Sequence, residues 1–279
     1  MVSELPRLVR GVYKTVHTSY INHMKTHNIQ IPVDDTHIHV LAAPGSGVPV
    51  VFANGAFSTH KEWVKVVGSL GSVYRPILFD MRGRGLSGRS VDYSLAAYER
   101  DLNAVIDHLD LEAVVLVGWS LGAHTVLRWA ATHPSRCRGI VLVDGGYPFA
   151  WSGEANRIQT RILFSKQAWI LPLLARLGMA GHMSAEQHAE VIIELNETAP
   201  QLVEAFRAIT APIDVIVATG GSEGAASKDA ARMRASLDPV LSGQSNEQLF
   251  STVSSNHLQV LRKDADAVVA AIRDVITKS

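Results

Sequence analysis

Ser120 stands at the centre of Gly118-Trp119-Ser120-Leu121-Gly122, a Gly-x-Ser-x-Gly pattern. The four residues before it, 114–117, are all apolar and predict a buried strand, whereas residues 121–132 have helical spacing. A serine on a one-residue turn between a buried strand and a helix is typical of a nucleophile elbow. Such a turn exposes the hydroxyl group, and the N-terminal N–H groups of the helix lie beside it. The sequence therefore predicts Ser120 as a nucleophile.

A serine hydroxyl is a weak nucleophile at neutral pH and needs a base that takes its proton and later returns it. The chain has 12 histidines. His257 is the best placed of them, because it follows the last predicted strand, 248–253, and precedes the terminal helix, 265–276. We interpret His124 and His133, which lie on or at the end of the helix after Ser120, as structural.

The acid that would orient the imidazole has two candidates. A strand is predicted over residues 139–143, after the elbow helix, and Asp144 comes at its end. Asp144 is therefore expected one strand away from Ser120. Glu223 follows the next strand, predicted over residues 213–219. Either residue would give the chain order serine, acid, histidine.

Two other motifs suggest a cofactor or a metal. Residues 83–88 match Gly-x-Gly-x-x-Gly, but a dinucleotide site needs its glycines to open a helix, and residues 89–93 intervene here. His37 and His39 share one strand face, and no third ligand follows at a metal-binding spacing. We therefore predict a tight loop at residues 83–88, no cofactor and no metal.

The element pattern determines the expected architecture. Strands alternate with helices from residue 48 to 146, which predicts a doubly wound, mostly parallel α/β sheet with right-handed crossovers. A hairpin through Asp34-Asp35 precedes it. Residues 147–211 contain no convincing strand and predict a helical lid inserted into a core of residues 1–146 and 212–279. Within the lid we predict a helix over residues 157–177 and another that starts with a capping box at Ser184 and Gln187. Residues 1–24 have the spacing of an amphipathic helix.

Composition narrows the classes of function. Lys and Arg number 26 and Asp and Glu also number 26, so the charge gives no reason to expect a nucleic-acid partner. The single cysteine, Cys137, suits a reducing compartment. No apolar run is long enough for a membrane span, and the N-terminus lacks a secretory signal pattern. These features predict a cytoplasmic protein with a small-molecule substrate, and they leave open whether it is a monomer or a homodimer.

Four motifs, in order over residues 35–279, resemble those of the α/β-hydrolase-fold superfamily, in particular its lidded serine hydrolases. They are Asn54-Gly55 after a strand, Asp80-Met81-Arg82-Gly83-Arg84-Gly85-Leu86-Ser87, the Ser120 pentapeptide, and the late His257. The superfamily usually has His-Gly where this chain has Asn54-Gly55. The missing histidine normally braces its loop by hydrogen bonds, which an asparagine amide can also form.

The resemblance implies roles for further residues. The N–H groups of Ala56 and Leu121 would form the oxyanion hole, and Phe57 and Trp119 would contact substrate. Most relatives carry the acid after the next strand as Gly-x-x-Asp, where this chain has Gly220-Gly221-Ser222-Glu223 with a different acid and spacing. We therefore favour Asp144 and keep Glu223 as the alternative.

The resemblance implies a serine hydrolase that cleaves a small, fairly apolar ester, thioester or lactone without a cofactor. A C–C bond hydrolase or a perhydrolase would use the same triad. A serine at position 120 argues against haloalkane dehalogenase or epoxide hydrolase chemistry, where relatives carry aspartate. An alternative of another class is a ligand-binding protein of the hormone-receptor type with little turnover.

Overall fold

A computed structural model describes residues 26–220, 227–243 and 245–279. The strands are β1 His27–Val33, β2 Thr36–Ala42, β3 Val48–Ala53, β4 Tyr74–Phe79, β5 Val114–Trp119, β6 Cys137–Val143, β7 Ile213–Ala218 and β8 Glu247–Val253. The helices are α1 Val64–Leu70, α2 Leu95–His108, α3 Leu121–Thr132, α4 Glu154–Gln167, α5 Leu171–Arg176, α6 Ala185–Thr198, α7 Leu202–Ala208, α8 Ser227–Ala235, α9 Asp238–Leu241, α10 Val260–Lys263 and α11 Ala265–Lys278.

The eight strands form one sheet in the order β1-β2-β4-β3-β5-β6-β7-β8. The first two strands form an antiparallel hairpin that turns at Asp34, whose φ is 50°, and β2 pairs antiparallel with β4. All other pairings are parallel. The predicted fold class, a doubly wound and mostly parallel sheet, is confirmed.

Apolar side chains cover both faces of the sheet. On one face α2, α3 and α9 bury residues such as Leu102 and Val126, and on the other face α1 and α11 bury residues such as Val66 and Ile272. The central strand β5 is buried at every position, because helices pack on both of its sides. Its carboxyl end, where Ser120 follows, is therefore held from both faces.

Four helices, α4 to α7, lie between β6 and β7, and we call residues 147–211 the helical insertion. One helix was predicted over residues 157–177, which is wrong, because α4 ends at Gln167 and α5 starts at Leu171. Pro172 explains the break, since proline has no N–H group and is tolerated only in the first turn of a helix. The capping box predicted at Ser184 and Gln187 is present.

Two parts of the sequence prediction lie outside the described residues. They are the amphipathic helix at residues 1–24 and the alternative acid, Glu223. Among the helices of the described ranges, none combines the length and the apolar character that crossing a bilayer requires.

The buried ion pair between Arg82 and Asp101 gives a prediction for stability. Asp101, on α2, accepts hydrogen bonds from the Arg82 guanidinium at 2.7 and 2.9 Å, and both side chains are fully buried. Arg82 also pairs with Asp34 at 2.9 Å, but that carboxylate is 37% exposed, so loss of the Asp101 charge leaves the buried guanidinium poorly compensated. We expect Asp101→Asn to lower the free energy of unfolding by about 3 kcal/mol, measured by urea denaturation.

The same helix supplies the control. Asp107 pairs with Arg136 at 2.6 Å, but its side chain is 51% exposed. Asp107→Asn should cost less than about 1 kcal/mol, because exposed ion pairs contribute little. Equal losses for the two variants would show that burial does not decide the contribution of the Arg82 pair.

Glu247, the first residue of β8, gives a prediction for pH dependence. Its carboxyl is buried without a hydrogen-bond partner among the described residues, and burial raises its pKa to about 7. Because the folded state then binds more protons than the unfolded state between about pH 4.5 and 7, this group makes the fold less stable as the pH rises. Because one pKa unit corresponds to about 1.4 kcal/mol, Glu247→Gln should gain about 2.5 kcal/mol relative to wild type between pH 5 and pH 8 in urea denaturation. The control is Glu112→Gln at an exposed position, and an equal gain in the two variants would contradict the role of burial at Glu247.

Candidate active site

Ser120 is the single residue between β5 and α3, and its backbone is strained. Its φ of 56° and ψ of −116° lie in a region that residues with a side chain rarely adopt. Such a conformation costs on the order of 1–3 kcal/mol and persists only where the surroundings enforce it. Here the Ser120 N–H donates to the Val143 carbonyl at 3.3 Å, and the Ser120 carbonyl accepts from the Ala123 N–H at 3.0 Å. The one-residue turn predicted from the sequence is confirmed.

The two glycines of the pentapeptide allow the strand and the helix to approach each other. A Cβ atom at Gly122 would lie 2.1 Å from the Ala53 carbonyl oxygen. A Cβ atom at Gly118 would lie 2.5 Å from the Gly122 carbonyl oxygen. Any larger residue would push α3 away from β3 and β5 and release the Ser120 turn.

Asp144 follows the last residue of β6 and directs its two carboxylate oxygens to different partners. Oδ2 accepts from His257 Nδ1 at 2.7 Å. Oδ1 accepts from the Tyr147 hydroxyl at 2.5 Å and from the Ala218 N–H at 3.2 Å. Burial alone would raise the pKa of the Asp144 carboxyl, but the hydrogen bonds from His257, Tyr147 and Ala218 lower it. The carboxylate is therefore charged and oriented toward His257.

His257 lies four residues after β8, at the same edge of the sheet. Its side chain is 34% exposed, and its ring centroid is 5.4 Å from that of Trp119, the residue before Ser120. Because Nδ1 is engaged by Asp144, Nε2 is the nitrogen left to exchange a proton. The structure thus brings together His257 and Asp144, two residues that the sequence places 113 positions apart.

Tyr147 is part of this cluster, although sequence reasoning did not identify it. The residue is 6% exposed, and burial together with the adjacent Asp144 raises the pKa of its hydroxyl far above the ordinary value. The hydroxyl therefore stays protonated and donates to the carboxylate. A tyrosine three residues after a predicted acid, at the start of the helical insertion, was the available signal.

The loop at residues 54–58 lies against Ser120, and we call it the oxyanion loop after the role predicted for Ala56. A Cβ atom at Gly55 would be 3.5 Å from the Ser120 Cβ atom. Asn54 braces the loop as expected, because its amide nitrogen donates to the Phe79 carbonyl and its amide oxygen accepts from Trp63 Nε1, both at 2.7 Å. The replacement of the superfamily histidine by asparagine therefore preserves the bracing.

The two predicted oxyanion-hole residues come from different elements. Leu121 is the first residue of α3, so its N–H has no acceptor within the helix. Ala56 belongs to the oxyanion loop, and its carbonyl accepts from Arg84 Nε at 2.7 Å, which fixes the peptide that follows it. Both residues are buried.

The two predicted substrate-contacting residues differ in exposure. The Phe57 side chain is 39% exposed, and its ring lies 5.8 Å from Phe164 of α4 and 5.5 Å from His188 of α6. Trp119 is only 6% exposed and packs in the core, beside His257. Phe57 thus lies at the junction between the core and the helical insertion.

His39 belongs to a buried cluster that the sequence did not show. Each of three residues, His39, His60 and Asp80, has a possible metal-ligand atom within 4.8 Å of those of the other two. No other group of three or more potential metal ligands is found in the described ranges. These ligand types suit a transition metal such as zinc. The Asp80 oxygens already accept from the His60 N–H at 2.8 Å, His60 Nδ1 at 2.9 Å and the Leu86 N–H at 3.1 Å. The cluster thereby braces residues 80–88, which we call the Asp80 loop.

The side chains of His124 and Cys137 are in protonation states that make them unreactive at neutral pH. His124 is buried on α3, and desolvation lowers the pKa of its imidazole to about 3, so it is neutral as expected of a structural residue. Burial raises the pKa of the Cys137 thiol to about 12, so it is not a thiolate at neutral pH.

The chain was compared with protein-family models and with known proteins. Residues 48–175 match the model of the alpha/beta hydrolase fold. A haloalkane dehalogenase of Mesorhizobium japonicum is 31% identical over 137 residues, which is 48% of this chain and 44% of that protein. An N-formylmaleamate deformylase of Pseudomonas putida is 32% identical over 147 residues, 51% of this chain and 52% of that protein. The chain thus spans about half the length of these curated relatives.

Solved structures extend the similarity over almost the whole fold. A thermophilic esterase from Thermogutta terrifontis superposes with a TM-score of 0.68 at 20% identity, covering 90% of this chain and 98% of that one. At this identity the likeness concerns the fold alone. The sheet order, the family-model match over residues 48–175 and these relatives together show that the chain has the alpha/beta hydrolase fold.

Proposed function

We propose that this chain is a serine hydrolase that cleaves a small, fairly apolar ester, thioester or lactone through an acyl-enzyme. The observation that carries the proposal is the 2.7 Å hydrogen bond between Asp144 and His257, at the sheet edge where the strained turn carries the half-buried Ser120. The relatives support hydrolytic chemistry in general, since one is a deformylase and another a dehalogenase.

The proposed reaction has two halves. The Ser120 hydroxyl oxygen attacks the carbonyl carbon while His257 Nε2 takes its proton, and the carbonyl oxygen becomes an oxyanion that the Ala56 and Leu121 N–H groups stabilise. His257 returns the proton to the leaving group as the bond to it breaks. Water then attacks the acyl-enzyme and loses its proton to His257, which gives a proton to the Ser120 oxygen as the ester bond to that oxygen breaks and the carboxylic acid leaves.

Asp144 is the proposed acid of this triad. Its Oδ2 atom accepts from Nδ1, which keeps the proton-exchanging tautomer at Nε2 and stabilises the imidazolium that forms in each half-reaction. Because Tyr147 and Ala218 saturate Oδ1, the carboxylate cannot rotate away from His257 without losing two hydrogen bonds.

We further propose that the helical insertion, residues 147–211, acts as a lid over a core formed by the rest of the chain. Phe57, next to the proposed oxyanion donor Ala56, contacts Phe164 and His188 of the insertion, which supports this arrangement. The apolar Phe57 ring also favours an apolar acyl group. A reducing compartment such as the cytoplasm suits the single buried Cys137.

The role of Ser120 can be tested with Ser120→Ala. We expect hydrolysis of short p-nitrophenyl esters to fall by at least about 10³-fold, because the acyl-enzyme cannot form. A fluorophosphonate probe should label wild type but not the variant. The exposed Ser135→Ala should behave like wild type. If wild type is not labelled, the ligand-binding alternative is favoured.

The choice of acid can be tested with two isosteric changes. Asp144→Asn should lower kcat by about 10³–10⁴-fold, because an amide at this position would favour the wrong imidazole tautomer. Glu223→Gln should retain activity near that of wild type. The opposite pattern would assign the acid to Glu223, and full activity in both variants would exclude both residues.

The class of substrate can be tested with a panel of equal chain length. We expect turnover of an ester, a thioester and a lactone, and none of a 1-chloroalkane, because Ser120 stands where dehalogenases carry the aspartate nucleophile. An N-formyl amide belongs in the panel because of the deformylase relative. Release of chloride as fast as ester hydrolysis would contradict the proposed chemistry.

A further inference from the structure

Arg84 is a buried cation in the middle of the Asp80 loop. Its side chain belongs to a residue that is only 1% exposed. Nε donates to the carbonyl of Ala56 at 2.7 Å, and Nη1 donates to the carbonyl of Arg82 at 3.2 Å. The guanidinium carbon lies over the ring of Tyr98 on α2, 4.7 Å from the ring centroid. The direct contacts of this charge are therefore main-chain carbonyls and an aromatic ring.

No carboxylate forms an ion pair with Arg84 within the ranges that the structure describes. Asp101 is close enough to interact with its charge, but the Asp101 oxygens accept from Arg82. Asp80, in the same loop, accepts from the N–H and the imidazole of His60. An arginine keeps its charge in a protein interior, and a buried charge without a partner is costly. The fold thus places an unbalanced positive charge directly behind the oxyanion loop.

Arg84 fixes one of the two peptide groups that flank the Cα atom of Ala56. Ser58 fixes the other, because its N–H and its hydroxyl donate to the carbonyl of Gly55 at 3.3 and 3.1 Å. A peptide group is planar and trans, so the Gly55 carbonyl and the Ala56 N–H point in opposite directions within one plane. With both planes held, the direction of the Ala56 N–H, the proposed oxyanion donor, is set.

The positive charge of Arg84 is felt on the other side of the oxyanion loop. His188 of α6 lies there, with its ring centroid 5.5 Å from that of Phe57, the residue after Ala56. Burial is the main cause that lowers the pKa of the His188 imidazole to about 4, and the Arg84 charge lowers it further. A negative charge that forms beside Ala56 would be attracted by the same guanidinium.

We propose that Arg84 is a positioning residue of the oxyanion hole, which it supports by holding the Ala56 peptide and by its unbalanced positive charge. This inference rests on the proposed serine hydrolase function. Bond and hydrogen-bond lengths put an oxyanion bound to the Ala56 N–H within about 10 Å of the guanidinium. At that distance, in a partly buried site, the attraction between opposite charges changes a rate about ten-fold.

A residue that only braced the loop would have a different kinetic signature. The substrate carbonyl gains its full negative charge only on the way to the tetrahedral intermediate, so a group that stabilises this charge raises kcat and leaves KM nearly unchanged. A brace without an electrostatic role could be replaced by any side chain that fills the same space and forms the same hydrogen bond.

Three replacements of Arg84 separate the hydrogen bond from the charge. Arg84→Met puts a methyl group at the place of Nε and removes both. Arg84→Gln puts an uncharged amide nitrogen there, whereas Arg84→Lys keeps a positive charge but has a methylene group there. For a short p-nitrophenyl ester we expect kcat to fall at least about 30-fold in Arg84→Met and about three- to ten-fold in each of the others, with KM within about two-fold of wild type.

A second readout reports on the oxyanion directly. A trifluoromethyl ketone forms a hemiketal oxyanion with a nucleophilic serine, so its inhibition constant should rise across the variants in parallel with the loss of kcat/KM. The thermal unfolding midpoint of each variant shows whether it is folded. If Arg84→Met does not fold, the glutamine and lysine variants still give the comparison with wild type.

Arg75 supplies a matched control. Its Nε also donates to a main-chain carbonyl, that of Ala43, at 3.1 Å, and its side chain is half-buried. It lies near the start of β4, at the edge of the sheet opposite to Ser120. Arg75→Met therefore removes the same kind of hydrogen bond away from the site, and kcat, KM and the inhibition constant should match those of wild type.

The outcomes distinguish this inference from the function on which it rests. If wild type hydrolyses no ester and is not labelled by a fluorophosphonate, the proposed function fails. If wild type is active and labelled but Arg84→Met keeps kcat within about three-fold, Arg84 does not support the oxyanion hole. A loss confined to KM, or wild-type kcat in Arg84→Gln, would likewise overturn the proposal and leave Arg84 as a brace of the loop.

Discussion

The close contact of α3 with β3 and β5 is the constraint on which the rest of the site depends. It requires glycine at positions 118 and 122, where any Cβ atom would come within 2.5 Å of a backbone oxygen. It also forces Ser120 into a backbone conformation that only the surrounding hydrogen bonds can maintain. Because the Ser120 backbone cannot relax to another conformation, its position relative to the oxyanion loop and His257 is fixed.

The sequence was sufficient for those features that depend on local pattern. Apolar runs and helical spacing indicated the sheet and the helices, and the Ser120 pentapeptide indicated the turn, because each depends on residues close together in the chain. The break between α4 and α5 was missed, although Pro172 marked it. The apolar residues have helical spacing both before and after the break, so the spacing gave no sign of it.

Features that depend on contacts between distant segments could not be predicted in the same way. Asp144 and His257 meet across β7, and sequence order alone left Asp144 and Glu223 as rivals. Tyr147 donates to Asp144 only because the chain turns sharply after β6, at the positive φ of Asp144. His60 and Asp80 approach His39 from two other segments, which no spacing rule connects.

The Asp80 loop joins parts of the molecule that are otherwise far apart in the chain. The carbonyl of Gly83 accepts from the His182 N–H of the helical insertion at 2.5 Å, and the next residue, Arg84, holds the carbonyl of Ala56. A displacement of the insertion near His182 would therefore be transmitted through two consecutive residues to the oxyanion loop. The helical insertion and the oxyanion loop are in this sense mechanically coupled through the backbone of the Asp80 loop.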